Sequence, residues 1–218
     1  PGIFSAIIIE FCGGVIKSSV PAISRTGTFT FCGDTRFLPY LNNFILNLNN
    51  NHILNYGQDG LFQTQKSLPR SFYQDYYTET VNGISFGFLG YDFVTYPKLD
   101  QKEIIDQIKR YDPEVDYLIV SLHWGNEYQK EPSQWQKELA HQIIDSGAKL
   151  IIGHHPHVIQ DLEIYNNSII AYSLGNFIFD MSGKGVREGA ILTVEIDPRT
   201  KQITGHSFDK VTSNYDYQ

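Results

Sequence analysis

The chain has 218 residues, 41% of them hydrophobic, which suffices for one buried α/β core and is short for two, so 1–218 is read as one domain. A formal charge of −7 leaves no basic excess to meet a phosphate backbone; nucleic acid is excluded as the expected partner, and cations or a small charged substrate fit better. No apolar run is long enough to span a bilayer, and Cys12 and Cys32 alone define neither a disulfide scaffold nor a zinc ribbon. Because the chain opens at Pro1 and its only methionine is Met181, an upstream segment with an anchor or export signal is expected.

Ile3 to Glu10 reads as a short buried strand, and Gly27 to Cys32 alternates like a second. Phe44 to Leu48 predicts a third, with Asn47 interrupting an otherwise apolar run, and Asn50 to Gly57 follows as a turn-rich loop. Leu61, Phe62, Gln65 and Leu68 recur near helical spacing over Asp59–Leu68. The Asn82-Gly83 pair between Tyr76–Val81 and Ile84–Leu89 predicts an antiparallel hairpin with a tight turn.

Ile104, Ile105 and Ile108 give Asp100–Arg110 one apolar helical face, and Asp112-Pro113 ends it. Tyr117 to Leu122 is continuously apolar, as in a strand covered on both faces. Ser133 caps a helix from Gln134 to about Ser146, expected to turn Trp135, Leu139, Ile143 and Ile144 inward, with Gly147 as its stop. Leu150-Ile151-Ile152 then completes a βαβ unit. Beyond residue 160 the pattern predicts antiparallel strands: Asp161–Tyr165, an Asn166-Asn167 turn, Ser168–Ser173, Gly189–Ile196 and Gln202–Asp209.

Three of these core strands end in polar clusters. Asn49-Asn50-Asn51-His52 follows Leu48, His123-Trp124-Gly125-Asn126-Glu127 follows Leu122, and His154-His155-Pro156-His157 follows Ile152 and Gly153. In open α/β sheets the binding cleft lies outside the carboxyl ends of the strands, so the three clusters are expected to share one cleft. Asn offers a carbonyl oxygen and His a nitrogen, so Asn51, His123, His155 and His157 form a mixed N/O set suited to Zn, Mn or Fe. A hydrolytic two-ion centre also calls for a bridging carboxylate, which this set lacks. His141, in mid-helix, is expected to be solvent-facing or structural, and His206, in the last strand, structural.

With these residues in place the sequence resembles the poly-γ-glutamate capsule synthesis proteins of the CapA type, a branch of the calcineurin-like metallophosphatase superfamily. The resemblance rests on Ser121–Tyr128, Pro132, Gln136, Ala140, Asp145–Ala148, Gly153–His157 and Tyr172–Asp180, with Asn50-Asn51-His52, Tyr56-Gly57, Asn82-Gly83 and Phe88–Tyr91 in support, and spans about residues 44 to 196. It implies a layered αββα metallophosphatase-like sandwich of the α/β (α+β) class. It further implies that Asn51, His123 and His155 bind one divalent ion and His157 a second, with His52 as acid or charge stabiliser in attack on a phosphoryl or acyl centre. Asn50, His154 and Arg187 would contact an anionic substrate.

Two family elements differ here. The strand-terminal Gly-Asp that opens the family pattern is expected upstream of Pro1, since Gly33-Asp34 lies too close to Asn51. Ile7–Gly13 aligns with a later Asn-x-Glu element, either with Glu10 at the Asn and Cys12 at the Glu or, after a shift, with Glu10 in the acid's place, which makes Glu10 the candidate carboxylate ligand. The family also implies a protein anchored at the bacterial cell surface, with poly-γ-glutamate or a related anionic chain and a membrane synthase complex as partners. A metal-dependent hydrolase and a non-catalytic polymer-binding component with a degenerate cleft both fit this pattern.

Overall fold

The computed structural model describes residues 44–176 and 186–212 in full, and the backbone alone for 8–12 and 30–32. Two β-sheets dominate it. The first is wholly parallel, built from Ile8–Cys12 (β1), Thr30–Cys32 (β2), Ile45–Asn47 (β3) and Ser71–Phe72 (β4) in the order β2-β1-β3-β4. The second contains Tyr77–Val81 (β5), Ile84–Asp92 (β6), Tyr117–His123 (β7), Leu150–His154 (β8), Leu162–Tyr165 (β9) and Ser168–Ala171 (β10), ordered β5-β6-β7-β8-β10-β9. Glu188–Asp197 (β11) and Gln202–Thr212 (β12) form a separate antiparallel ribbon.

Side-chain alternation along β7 shows why its sequence is continuously apolar. Tyr117 and Ile119 join a core with Ile45, Phe72 and the β11 residues Leu192 and Val194, so one face of the six-stranded sheet packs on the parallel sheet and the ribbon. Leu118, Val120 and Leu122 point the other way, onto Ile104 and Ile108 of helix Gln101–Tyr111 (α2) and onto Leu139, Ile143 and Ile144 of helix Gln134–Asp145 (α3). The result is a mixed α/β sandwich in which helices cover one face of the central sheet and β-structure covers the other. A further helix, Gly57–Ser67 (α1), follows the loop after β3. Among the described residues no helix is long and apolar enough to cross a membrane.

Local chemistry sets the boundaries. Asp100 caps α2 by accepting Lys102 N–H at 2.9 Å, and Ser133 with Gln136 forms a reciprocal capping box on α3. Gly147, at φ 126°, ends α3 as expected. Both hairpin turns need two residues at positive φ, and Asn82-Gly83 and Asn166-Asn167 supply them.

Two expectations need correction. Trp135 is 37% exposed and meets the core by ring edges against Phe93 and Trp124, because it begins the helix at the rim of the sheet. The region after residue 160 is not uniformly antiparallel: β10 pairs with β9 antiparallel and with β8 parallel, so the hairpin adds to the central sheet.

That sheet is closed on both sides by antiparallel hairpins of similar chemistry. On β5, Glu79 accepts from Arg70 and, at 2.9 Å, from the Tyr77 hydroxyl. On β9, Glu163 is hydrogen-bonded to His141 at 2.8 Å and to the Tyr172 hydroxyl at 2.6 Å. His141 also stacks on Tyr165 with ring centroids 3.9 Å apart, which gives it the structural one of its two expected roles.

Asn47, the apparent flaw in β3, ties the two sheets together. Fully buried, it donates from Nδ2 to Ser121 Oγ on β7 at 2.8 Å and accepts at Oδ1 from the backbone and side-chain N–H groups of Asn49. A buried amide with these partners fixes where β3 ends relative to β7. Asn47→Ala removes the partner of the Ser121 hydroxyl and of the Asn49 N–H groups and is expected to cost about 2–3 kcal/mol, a fall in melting temperature of about 5–10 °C. Thermal unfolding measures it, and an unchanged midpoint rejects the role.

Candidate metal centre

Parallel pairing brings the carboxyl ends of neighbouring strands level. Asp92 of β6 stands opposite His123 of β7, and His123 opposite His154 of β8. The Asn47 link then sets the Asn50–His52 loop beside them, where Asn51 Oδ1 lies 3.0 Å from His123 Nε2. The His123 and His155 rings are 4.8 Å apart between centroids, and those of His155 and His157 5.9 Å. Asn51, His123, His155 and His157, from three strand ends, therefore meet in one place.

Glu127 joins them. Its carboxylate and the ring nitrogens of His155 and His157 offer ligand atoms that all lie within 4.8 Å of one another, a set able to hold a metal ion. Sequence reasoning left Glu127 without a role because it sits in an exposed loop outside any periodic element. Its position four residues past His123, in the same strand-end cluster, was the available signal.

The environment keeps His123 and His155 in the form that binds cations. Burial pushes His123 down to about 3, an effect opposed by Asp92 and reinforced by His157 and His52. Burial also lowers His155 to about 4, with His123 and His157 adding to the shift. Both rings are neutral at neutral pH, and neutral nitrogen is what a metal requires. His155 Nδ1 is buried with no hydrogen-bond partner among the described residues, so the donor set fits an ion on this atom's own account.

An outer shell orients the ligands. His157 Nδ1 lies 2.9 Å from Asn176 Oδ1, and Asn176 Nδ2 donates to the Val186 carbonyl at 2.8 Å, which fixes the amide orientation. An oxygen can only accept, so the proton sits on Nδ1 and Nε2 keeps its lone pair. In the sequence Asn176 is legible only as part of a longer motif. His52 is held differently: Asn55 Nδ2 donates to its Nδ1 at 3.1 Å, which leaves the proton on Nε2.

The remaining candidates are spread out. Asn50 and His154, expected beside substrate, are each 2% exposed, and Asn50 Oδ1 accepts the His52 backbone N–H at 3.0 Å. Arg187 is exposed, next to the Val186 that anchors Asn176. Glu10 pairs through its backbone with Asn47 and Thr30, and its side chain lies outside the described residues, as does Asp34.

The loop that carries the histidines is under constraint. His155 and His157 adopt φ values of 95° and 59°, a region costly for bulky residues. Just before it, Gly153 passes beneath the buried Trp124, whose indole N–H donates to the Tyr172 carbonyl at 3.0 Å.

The family model for bacterial capsule synthesis protein PGA_cap matches residues 15–181. The PGA biosynthesis protein CapA of Bacillus subtilis (strain 168) is 31% identical over 182 residues, covering 72% of this chain and 48% of that protein. The capsule biosynthesis protein CapA of Bacillus anthracis is 34% identical over 176 residues, covering 68% and 43% respectively. The chain thus spans about half the length of these curated relatives.

Among solved structures, a hypothetical protein from Thermus thermophilus superposes with a TM-score of 0.55 at 15% identity, over 77% of this chain and 76% of that one. A phosphatase from Mycoplasma pneumoniae gives 0.50 at 16%, over 78% and 64%. At such identities the likeness is one of fold, the fold expected of a metallophosphatase-like sandwich. From the extent of the family match, the chain belongs to the bacterial capsule synthesis protein family PGA_cap.

Proposed function

We propose that this chain is a metal-dependent hydrolase domain serving poly-γ-glutamate capsule formation, acting on a phosphoester or a γ-glutamyl-type bond. The observation that carries the reading is the convergence of Asn51, His123, His155, His157 and Glu127 from three strand ends onto one cluster. Asn51, His123 and His155 would hold one divalent ion, and His157 with Glu127 a second. Glu10, beside Asn47 in register, is the candidate for a further carboxylate. Bound there, Mn, Zn or Fe supplies Lewis acidity toward a substrate oxygen and lowers the pKa of water.

The chain's own groups do the rest. His52, with Nδ1 occupied by Asn55, keeps an Nε2–H to donate to the leaving group or to charge developing on it. Asn50 holds the His52 backbone, His154 fills the strand end beneath the histidine loop, and exposed Arg187 meets an anionic substrate. In this reading the domain works at the bacterial cell surface, anchored there and in company with a membrane synthase complex.

Metal analysis of the purified protein, followed by turnover of a phosphodiester and of a γ-glutamyl anilide with added Mn, tests the proposal. The expected result is bound transition metal and hydrolysis that falls at least about 100-fold in His52→Ala, in line with the usual contribution of a proton-transferring side chain. Absence of any bound transition metal overturns the metal centre. Retained metal with neither substrate turned over identifies instead a non-catalytic polymer-binding component.

A further inference from the structure

Eight non-glycine residues among those described have positive φ. Asn82, Asn166, Asn167 and Lys201 occupy strand-to-strand turns, where that conformation closes the hairpin. Of the other four, three gather at the metal cluster: His155, His157 and Tyr128, at φ 63°. A tyrosine there is strained by its own Cβ, and glycine would relieve it.

The backbone around Tyr128 is firmly held. Its N–H donates at 2.8 Å to the carbonyl of Pro156, between the two strained histidines, and the next carbonyl, of Gln129, accepts from Gln160 Nε2 at 2.9 Å. The side chain is not packed in the same way. It is 48% exposed, with its ring centroid 6.4 Å from that of His157, and it directly follows Glu127. Its hydroxyl interacts with the neighbouring Glu127 carboxylate, and the fold bears the strain of placing this half-exposed ring at the rim of the cluster.

We propose that Tyr128 is a substrate-gripping residue, whose ring packs against the stretch of a carboxylate-bearing polyamide that flanks the bond held at Glu127, His155 and His157. This rests on the functional reading above and adds how the ligand is held. A tyrosine face covers amide planes and methylenes at low cost in side-chain entropy, and its hydroxyl donates to a carboxylate.

A groove of about 650 Å³ has among its walls Val158, directly after His157, and Lys130, two residues beyond Tyr128. Phe208 and Lys210 of β12 face it from the ribbon. Asp161 and Glu188 share the groove with the two lysines, so it is close to neutral, and the grip depends on contact more than on net attraction.

Three substitutions of the full chain, Tyr128→Gly, Tyr128→Ala and Tyr128→Phe, test the assignment with a γ-linked glutamate decamer as probe. Calorimetric titration, Mn content and thermal melting are the readouts. The Gly and Ala variants are expected to lose about tenfold or more in decamer affinity with Mn content unchanged, while Phe loses less than about threefold. The Gly variant is expected to melt about 2–4 °C above the Ala variant, since only the latter keeps a Cβ at positive φ.

Decamer affinity equal to wild type in the Gly and Ala variants overturns the grip. Equal melting of the two variants overturns the strain argument behind it. A wild-type protein that holds Mn and does not bind the decamer overturns the poly-γ-glutamate reading itself, a failure visible before any variant is made.

Discussion

Gly153→Val is expected to collapse the end of β8 and to lower the melting temperature by about 6–20 °C. A Cβ at residue 153 would sit 1.9 Å from the Tyr172 carbonyl oxygen and 2.6 Å from Trp124 Nε1. The oxygen is backbone, held in the chain that leaves β10, and the indole is fully buried, so neither neighbour has room to retreat. The substitution would also separate Trp124 from Tyr172 and bury both polar groups without partners.

Overpacking and the lost hydrogen bond together correspond to about 3–5 kcal/mol, and each kilocalorie shifts a domain of this size by about 2–4 °C. Because His155 and His157 follow within four residues, metal content is expected to fall with stability. Differential scanning calorimetry beside metal analysis checks both, and a variant melting within about 2 °C of wild type rejects this account of Gly153.

The second large effect separates a ligand from its support. His155→Ala removes a nitrogen at the centre of the cluster and is expected to weaken metal binding by more than about 100-fold. Asn176→Ala leaves every ligand in place and removes the acceptor that holds the His157 proton on Nδ1, together with the hydrogen bond to the Val186 carbonyl. Outer partners of this kind typically contribute about 10–100-fold in metal affinity, so the Asn176 variant should fall between wild type and the His155 variant. Chelator competition with Mn or Zn ranks the three proteins. The metal-centre assignment fails if His155→Ala binds as tightly as wild type, and the outer-shell role fails if Asn176→Ala does.

Much of this arrangement was legible in the sequence, for identifiable reasons. His123, the histidine loop and Asn51 each directly follow a strand whose apolar pattern is strong, and strand ends converge in a parallel sheet. Turns were legible because Asn-Gly and Asn-Asn carry the positive φ that a tight hairpin needs. Pairing partners were not. Glu127, Asn176 and Asn55 act through contacts with residues 3 to 30 positions away, and no periodicity records such a contact.

Asn47 shows the limit most clearly. In the sequence it interrupts a strand, and only its distance to Ser121, 74 residues along the chain, turns it into the joint between two sheets. The direction of β10 was hidden for a related reason. A hairpin fixes how β9 and β10 pair with each other and says nothing about which neighbour β10 takes on its other side.

The hairpins that close the central sheet bear on behaviour in a crowded setting. A sheet rim offers unpaired N–H and C=O groups that invite another strand to add, and β5 and β9 are short and each carries a carboxylate fastened in place by a cationic or imidazole partner and a tyrosine hydroxyl. A second copy approaching either rim would have to displace these fastened polar side chains. The protein is thereby guarded against edge-to-edge association, the failure to which an open sheet is most prone at high local concentration.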